Sequence, residues 1–140
     1  MHLEKKSMAE NFILDSFALL AFYQKEQGAK EVKRILKQAE SSAVKIFLSE
    51  ISLGEIYYIV LRELGPQQAK LLLASILALP VEPFLPKREN ILRAAELKAL
   101  GKISYADCFV LELAEREKGT IITGDREFKA FEKMVNILWL

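Results

Sequence analysis

The segment Phe12-Ile13-Leu14-Asp15-Ser16 is a short apolar run that ends in an acidic residue and leads into an apolar stretch of helical character. The segment Thr120-Ile121-Ile122-Thr123-Gly124-Asp125 repeats this order near the C-terminus. Neither run alternates strictly between polar and apolar residues, which indicates strands covered on both faces, as in parallel sheets. Ligands bind at the carboxyl ends of such strands, so the two segments predict a fold and an acidic edge together.

Further apolar runs extend this alternation along the chain. The other strand candidates are Val44 to Leu48, a weaker run from Val81 to Leu85, and Val135 to Trp139. Apolar residues at helical spacing predict helices over Ala29–Ala39, Ser49–Leu64, Gln67–Leu79, Arg88–Leu100 and Ser104 to about Lys118. Gly119 is expected to end the last helix. This order predicts an α/β domain with a central, mainly parallel sheet of about five strands flanked by helices.

Composition limits the class of protein. The chain of 140 residues carries 20 Lys and Arg against 19 Asp and Glu, a formal net charge of +1. We expect residues 11–140 to form a single domain behind a polar N-terminal arm, residues 1–10. The single cysteine excludes an internal disulfide framework, and the uncharged stretch Leu71 to Val81 is shorter than the ~20 residues that span a bilayer. A cytoplasmic protein without membrane contact is expected. The near-neutral charge is weak evidence against a nucleic-acid partner.

The predicted helix Gln67–Leu79 is apolar nearly all round, with only Lys70 and Ser75 polar after its first turn. A helix of this kind must be buried, inside the domain or against another subunit. Two interpretations stay open on an equal footing. Either this region forms a homodimer contact, or another helix of the same chain covers it.

Two acidic residues follow strand candidates at equivalent positions. Asp15 ends the first run, and Asp125 leaves the carboxyl end of the run at 120–122. Each has a structural alternative, because Asp also caps helices and forms turns. Taken singly, Asp15 is better interpreted as a cap, but two acids at equivalent strand ends favour a shared site.

Two further acids lie on predicted helices. Asp107 is spaced from Ser104 as in a capping box, yet a helical wheel places it within the apolar arc of Val110, Leu111 and Ala114. An inward carboxylate is costly unless it is paired or binds a metal, which favours function for Asp107. Glu55 falls roughly opposite the main apolar face of its helix, and the pattern alone favours a solvated side chain there.

Several carboxylates at one edge need a compensating cation. Two unit charges ~6 Å apart at an effective dielectric constant of ~20 repel by roughly 3 kcal/mol. Oxygen ligands favour a hard ion such as Mg²⁺ or Mn²⁺. His2 lies in the arm and Cys108 has no spaced partner, which argues against zinc and against Cys–His catalysis and leaves Cys108 as a buried helix residue. No P-loop or Gly-rich dinucleotide turn is present.

Four short motifs in order resemble those of PIN-domain proteins, and most closely the small VapC-type toxins of toxin–antitoxin pairs. The motifs are Ile13-Leu14-Asp15-Ser16, the helix start from Ser49 to Glu55, Ser104-Tyr105-Ala106-Asp107-Cys108, and Thr123-Gly124-Asp125 followed by Phe128. Each is short, but together they cover the chain from Asn11 onward. The arm is a departure, because the family commonly starts close to its first strand.

The resemblance implies a three-layer fold in which Asp15, Glu55, Asp107 and Asp125 meet at one edge of the sheet. These four residues would be both the catalytic residues and the ligands of Mg²⁺ or Mn²⁺, and the assignment of Glu55 rests on the resemblance. Ser16 and Thr123 match accessory hydroxyl positions, with ordinary capping as the alternative. The resemblance also implies endoribonuclease activity, a homodimer, and a partner antitoxin that blocks the site.

A near-zero net charge is compatible with this activity if the negative charge is concentrated at one edge. RNA is then expected to bind weakly until a divalent cation fills the site. One alternative is an inactive PIN-like module that binds RNA or a protein partner without cutting. A phosphatase or receiver-type signalling domain is a weaker alternative. A phosphatase typically has a second acid two residues after the strand-end Asp, where this chain has Phe17, and a receiver has an acidic pair near the first strand end.

Overall fold

The computed structural model describes residues 10–140, which form a five-stranded sheet with helices packed on both faces. The strands are β1 (Glu10–Leu14), β2 (Val44–Ser49), β3 (Glu82–Phe84), β4 (Thr120–Thr123) and β5 (Asn136–Trp139). The helices are α1 (Ser16–Tyr23), α2 (Ala29–Glu40), α3 (Glu50–Leu64), α4 (Pro66–Leu77), α5 (Arg88–Ala99) and α6 (Tyr105–Glu117). A 3₁₀-helix spans Arg126–Phe131.

Every strand pairing in the sheet is parallel, and the strand order is β3-β2-β1-β4-β5. β1 lies at the centre, where Leu14 pairs with Leu48 of β2 and with Ile122 of β4. The carboxyl ends of these three strands therefore lie side by side. The predicted α/β class and mainly parallel sheet are confirmed. Of the predicted arm, Met1 to Ala9 lie outside the described residues, whereas Glu10 already belongs to β1.

Two buried apolar clusters hold the layers together. Phe12 and Leu14 of β1 belong to the cluster that packs against α1, α2, α3 and α4. Ile13 between them belongs to the other cluster, with residues of α5, α6 and the 3₁₀-helix. Successive strand residues face opposite clusters, so all of them must be apolar. This is why the central strands show no polar–apolar alternation.

The end of α6 differs from the prediction. Lys118, and not Gly119, adopts the left-handed backbone conformation that ends the helix, with φ of 51°. Gly119 meets a different requirement, which is close approach to β1. A Cβ atom at Gly119 would lie 2.4 Å from Ile13 Cδ1 and 3.2 Å from the Asn11 carbonyl oxygen. The missing side chain therefore lets the chain enter β4 directly beside the central strand.

The apolar helix predicted at Gln67–Leu79 is α4, and it packs against α3. Within the chain, only Ala69 and Ile76 of this helix are buried, whereas Leu71 is 61% exposed and Leu77 is also exposed. One face of α4 is thus covered by α3, and the outer face keeps apolar side chains in solvent. Among residues 10–140, no helix is both long and apolar enough to cross a bilayer.

The close approach at Gly119 predicts that Gly119→Ala destabilises the protein by about 1–3 kcal/mol, because the methyl group overpacks the Ile13 side chain. The matched control is Gly54→Ala in the exposed part of α3, where the new methyl group would meet nothing within 4 Å beyond its chain neighbours and the nearby backbone of its own helix. That change should instead stabilise by about 0.4–1 kcal/mol. Urea unfolding of both variants checks the pair, and equal stability of the two would contradict this account of Gly119.

Candidate active site

The carboxyl ends of β1, β2 and β4 meet the N-termini of α1, α3, α6 and the 3₁₀-helix at one edge of the sheet. Asp15 follows β1 and caps α1, Ser49 ends β2 and caps α3, and Thr123 ends β4. The chain leaves β1 toward β2 and β3 on one side and later returns to β4 and β5 on the other. This topological switch beside β1 is where open parallel sheets form ligand-binding crevices.

Asp15 is both a helix cap and a buried residue of this edge, so the two interpretations of the sequence are compatible. The residue is 1% exposed. One carboxylate oxygen, Oδ1, accepts a hydrogen bond from the backbone N–H of Ala18 at 2.8 Å. The other, Oδ2, accepts a hydrogen bond from the Thr123 hydroxyl group. Both oxygens are thereby held in fixed positions.

Thr123 connects Asp15 to Asp125. Its hydroxyl group donates to Asp15, and the same oxygen accepts a hydrogen bond from the Asp125 backbone N–H at 2.9 Å. Asp125 in turn caps the 3₁₀-helix, because its Oδ1 atom accepts from the Glu127 N–H at 3.0 Å. The turn chemistry anticipated at Asp125 is present and brings the residue to the same edge as Asp15.

Glu55 lies in α3 and is half-buried. Its Oε1 atom accepts a hydrogen bond from the Ser16 hydroxyl at 2.6 Å, a contact that joins α3 to α1. The helical pattern alone favoured a freely solvated side chain, and the structure does not support that interpretation. The wheel describes only how α3 faces the core, whereas Glu55 lies against the first residue of a neighbouring helix.

Asp107 is buried at the start of α6, with 5% of the residue exposed. The Ser104 hydroxyl accepts from the Asp107 N–H at 3.1 Å, which is half of a capping box. The reciprocal half is made by a different residue, because the Ser104 backbone N–H donates to Glu127 Oε1 at 3.4 Å. The capping-box interpretation of the Asp107 carboxylate is therefore wrong, and this group faces the acidic edge.

Glu127 was not recognised from the sequence. Carboxylate oxygens of Asp107, Asp125 and Glu127 all lie within 4.8 Å of one another, a spacing that can hold one cation. Among the described residues, Asp15 and Glu55 fall outside this closest group, although their charges act on Asp107. The signal for Glu127 was the second acid two residues after Asp125, in Asp125-Arg126-Glu127.

Burial and neighbouring carboxylates raise the pKa values of Asp15 and Asp107. Burial is the largest cause that raises the pKa of Asp15 to about 7, opposed by the bonds from Thr123 and Ala18 and assisted by the charges of Asp125 and Glu55. Burial also raises the pKa of Asp107 to about 8, with added repulsion from Asp15, Asp125 and Glu55 and partial relief from Ser104. With no cation among the acids, the Asp107 carboxyl group is therefore mostly protonated at pH 7 and the Asp15 carboxyl group about half protonated.

A second acid on α6 shows what is different about Asp107. Glu112 is equally buried, at 5% exposed, but its Oε2 atom lies 2.9 Å from Arg116 Nε and 2.9 Å from Asn90 Nδ2. The charged groups that shift the pKa of Asp107 are all carboxylates. A buried charge needs a counter-charge, and Glu112 has one within the chain.

The donor set fits a hard divalent cation. Every candidate ligand atom is a carboxylate oxygen, three of them converge within 4.8 Å, and the raised pKa values show repulsion that a cation would relieve. Mg²⁺ and Mn²⁺ both accept such ligands. Among residues 10–140, Cys108 is buried as predicted and lies outside the cluster of potential metal ligands.

The raised pKa values predict how the stability of the metal-free protein depends on pH. The folded state holds protons on Asp15 and Asp107 that an unfolded chain has released above about pH 4, so the free energy of unfolding falls as pH rises toward 8. The melting temperature in EDTA should therefore decrease from pH 5 to pH 8. Asp107→Asn should flatten the decrease, and a wild-type melting temperature that rises over this window would contradict the interpretation.

Comparison with known proteins agrees with the fold. The family model for the PIN domain matches residues 12–134. Solved structures of similar fold include VapBC2 from Rickettsia felis bound to a promoter DNA fragment, with TM-score 0.72, 18% identity and coverage of 91% of this chain and 97% of that chain. Another is VapC20 from Mycobacterium tuberculosis, described as a sarcin–ricin loop cleaving toxin, with TM-score 0.67, 18% identity and coverage of 87% and 95%.

A third similar structure is DNA-bound VapBC from Salmonella typhimurium, with TM-score 0.70, 16% identity and coverage of 94% of this chain and 98% of that chain. At these identities the likeness establishes the fold. No curated protein sequence gives a significant match to the chain. The family match spans most of the sequence, from the middle of β1 to the residue before Val135, and the chain belongs to the PIN-domain family.

Proposed function

We propose that the protein is a cytoplasmic, metal-dependent endoribonuclease and the toxin of a toxin–antitoxin pair. The observation that carries this proposal is the convergence of the Asp107, Asp125 and Glu127 carboxylates beside buried Asp15 at the switch point of the sheet. Membership of the PIN-domain family supports nuclease chemistry. The alternative of an inactive binding module is disfavoured, because a module that does not cut has no need for two buried acids, Asp15 and Asp107, among further carboxylates that repel them.

In this proposal Asp15, Glu55, Asp107 and Asp125 hold the Mg²⁺ or Mn²⁺ ion, and Glu127 adds a further carboxylate to the set. A bound ion of this kind lowers the pKa of a bound water molecule and neutralises charge that develops on the scissile phosphate. The Thr123 hydroxyl group fixes Asp15 and Asp125 relative to each other through its two hydrogen bonds, and the Ser16 hydroxyl group positions Glu55. Ser16 and Thr123 therefore act as positioning residues.

Basic residues beside the acids complete the proposed RNA-binding edge. Lys102 and Arg126 are both exposed, and Arg126 directly follows Asp125. The Arg126 guanidinium group lies 5.8 Å from the centre of the Trp139 ring, and this contact restricts the conformations of the Arg126 side chain. In the proposal both side chains contact RNA phosphates, and Asp125 positions the water molecule that attacks the phosphodiester bond.

The toxin–antitoxin assignment is supported by the similar structures. Two of them are VapBC toxin–antitoxin proteins bound to DNA, and VapC20 is described as a sarcin–ricin loop cleaving toxin. By analogy, an antitoxin protein would block the acidic edge of this chain. The similar structures do not indicate which RNA this protein cleaves, because at 16–18% identity the likeness extends only to the fold.

The proposed site predicts that Asp15→Asn and Asp107→Asn each reduce RNA cleavage by more than about 100-fold, because even a residue behind a metal ligand contributes 10–100-fold. Cleavage of total RNA by purified protein in Mg²⁺ or Mn²⁺ is the measurement. The matched control is Glu63→Gln, an exposed acid at the far end of α3 that should leave cleavage unchanged. Full activity in either Asp variant, with a wild-type circular dichroism spectrum, would contradict the site.

We also propose that a second copy of the chain covers the outer face of α4. Leu61 and Leu64 of α3 and Leu71 and Leu77 of α4 are exposed. Burying such side chains between two subunits contributes favourable free energy that a single chain does not gain.

Sedimentation equilibrium should therefore give twice the chain mass, and Leu71→Lys should shift the protein toward the monomer. Leu92→Lys on α5 is the control, because it places the same charge at an exposed leucine on a different helix. A wild-type monomer at high concentration would rule the dimer out.

A further inference from the structure

Phe17 is an exposed aromatic residue at the edge that carries the acids. It follows Asp15 and Ser16 in the first turn of α1 and precedes buried Ala18. The residue is 43% exposed and belongs to neither of the two buried apolar clusters. Among residues 10–140, its ring also makes no ring–ring contact. The core of the fold therefore does not account for an aromatic side chain at this position.

The ring is nevertheless held in place by the loop that carries Asp125. A Cβ atom at Gly124 would lie 2.4 Å from Phe17 Cε1 and 2.7 Å from Cζ, so the ring rests directly on the glycine backbone. Gly124 lies between Thr123 and Asp125, whose hydrogen bonds tie this loop to Asp15. The position of the ring is thus set relative to the same carboxylates that form the proposed cation site.

The chemical character of Phe17 complements that of its neighbours. Carboxylates and a divalent ion can bind a phosphate group and a water molecule, but they do not provide a surface on which a nucleobase can stack. An aromatic ring can stack with any base, and stacking of this kind is a main source of affinity for single strands. The faces of bases inside a duplex are already covered, so only an unpaired base is available to such a ring.

Tyr105, in the first turn of α6 close to Asp107, is another exposed aromatic residue, and a different contact holds its ring. Its ring packs edge-on against Phe109, with centroids 5.0 Å apart and an interplanar angle of 71°. Part of its surface is therefore already used within α6. Phe17 has a similar exposed fraction, 43% against 45% for Tyr105, but its ring lies against the loop at Gly124, which carries Asp125.

We propose that Phe17 is a substrate-positioning residue whose ring stacks with an unpaired RNA base next to the scissile phosphate. The inference rests on the proposed ribonuclease function and adds the residue that selects single-stranded or looped RNA over a continuous duplex. Gly124 serves this role indirectly, since a side chain there would displace the ring. The affinity that stacking supplies is independent of the base sequence, because every base has an aromatic face.

The test compares Phe17→Leu, Phe17→Ala and Phe17→Tyr with wild type. Leucine keeps an apolar side chain without a planar ring, whereas tyrosine keeps the ring. Binding of a short fluorescein-labelled single-stranded RNA is measured by anisotropy in Ca²⁺, and cleavage of the same RNA is measured in Mg²⁺ or Mn²⁺. The duplex of the same sequence is the second probe, and Leu92→Ala on α5 controls for the loss of an exposed apolar side chain.

We expect Phe17→Leu and Phe17→Ala to weaken binding of the single strand about tenfold. KM should rise by a similar factor while kcat and the cation-induced rise in melting temperature stay as in wild type. Phe17→Tyr and Leu92→Ala should bind as wild type does, and weak binding of the duplex should be unaffected by any of the changes. A ring that only supports the Asp125 loop would instead lower kcat and cation binding when removed.

The outcomes separate this inference from the proposed function. If wild type binds and cleaves the single strand and Phe17→Leu matches it in KM and dissociation constant, the stacking role is overturned and the ribonuclease stands. If the change lowers kcat without raising KM, Phe17 is structural and the stacking role is again overturned. If wild type neither binds nor cleaves RNA in any divalent ion, the proposed function falls and the inference falls with it.

Discussion

Repulsion among carboxylates at one edge of the sheet is the constraint on which the other features of this protein depend. Asp15 and Asp107 are nearly inaccessible to water, and their pKa values rise to about 7 and about 8 because burial and neighbouring acids disfavour their charged forms. Buried acids with raised pKa values lower the free energy of unfolding at neutral pH unless a counter-charge, such as a bound cation, compensates them. On the same helix, buried Glu112 is paired with Arg116, so the fold can neutralise a buried acid when no site is required.

The parallel fold is well suited to tolerate this repulsion. Asp15 caps α1 and Asp125 caps the 3₁₀-helix, so both receive hydrogen bonds from backbone N–H groups. The N-terminus of a helix carries partial positive charge, which stabilises a nearby carboxylate. Thr123 then joins the two caps through its hydroxyl group. The residues that terminate the strands and start the helices are therefore also the residues that orient the proposed ligands.

The elements of the fold were predictable because each depends on local sequence signals. Apolar runs at β1 and β4 and helix ends such as Gly65-Pro66 indicate both the type and the order of the elements. The features that the pattern within single elements did not indicate depend on contacts between distant residues, and Glu55 was assigned only through the family resemblance. Glu55 is positioned by Ser16, far away in sequence, and Glu127 completes a capping arrangement begun by Ser104. Neither contact leaves a periodic signal within one element.

The same distinction applies to Gly119, because a side chain there is excluded by contact with Ile13 and not by the end of α6.

The central claim, that the acidic edge is a divalent cation site, is tested most directly by calorimetric titration of Mn²⁺ at pH 7 in buffers of different ionisation enthalpy. Because the raised pKa values leave Asp107 mostly and Asp15 partly protonated at pH 7 in the metal-free state, saturable binding should release protons, and Asp107→Asn should abolish the tight binding. Absence of saturable binding by wild type, or binding without proton release, would contradict the account.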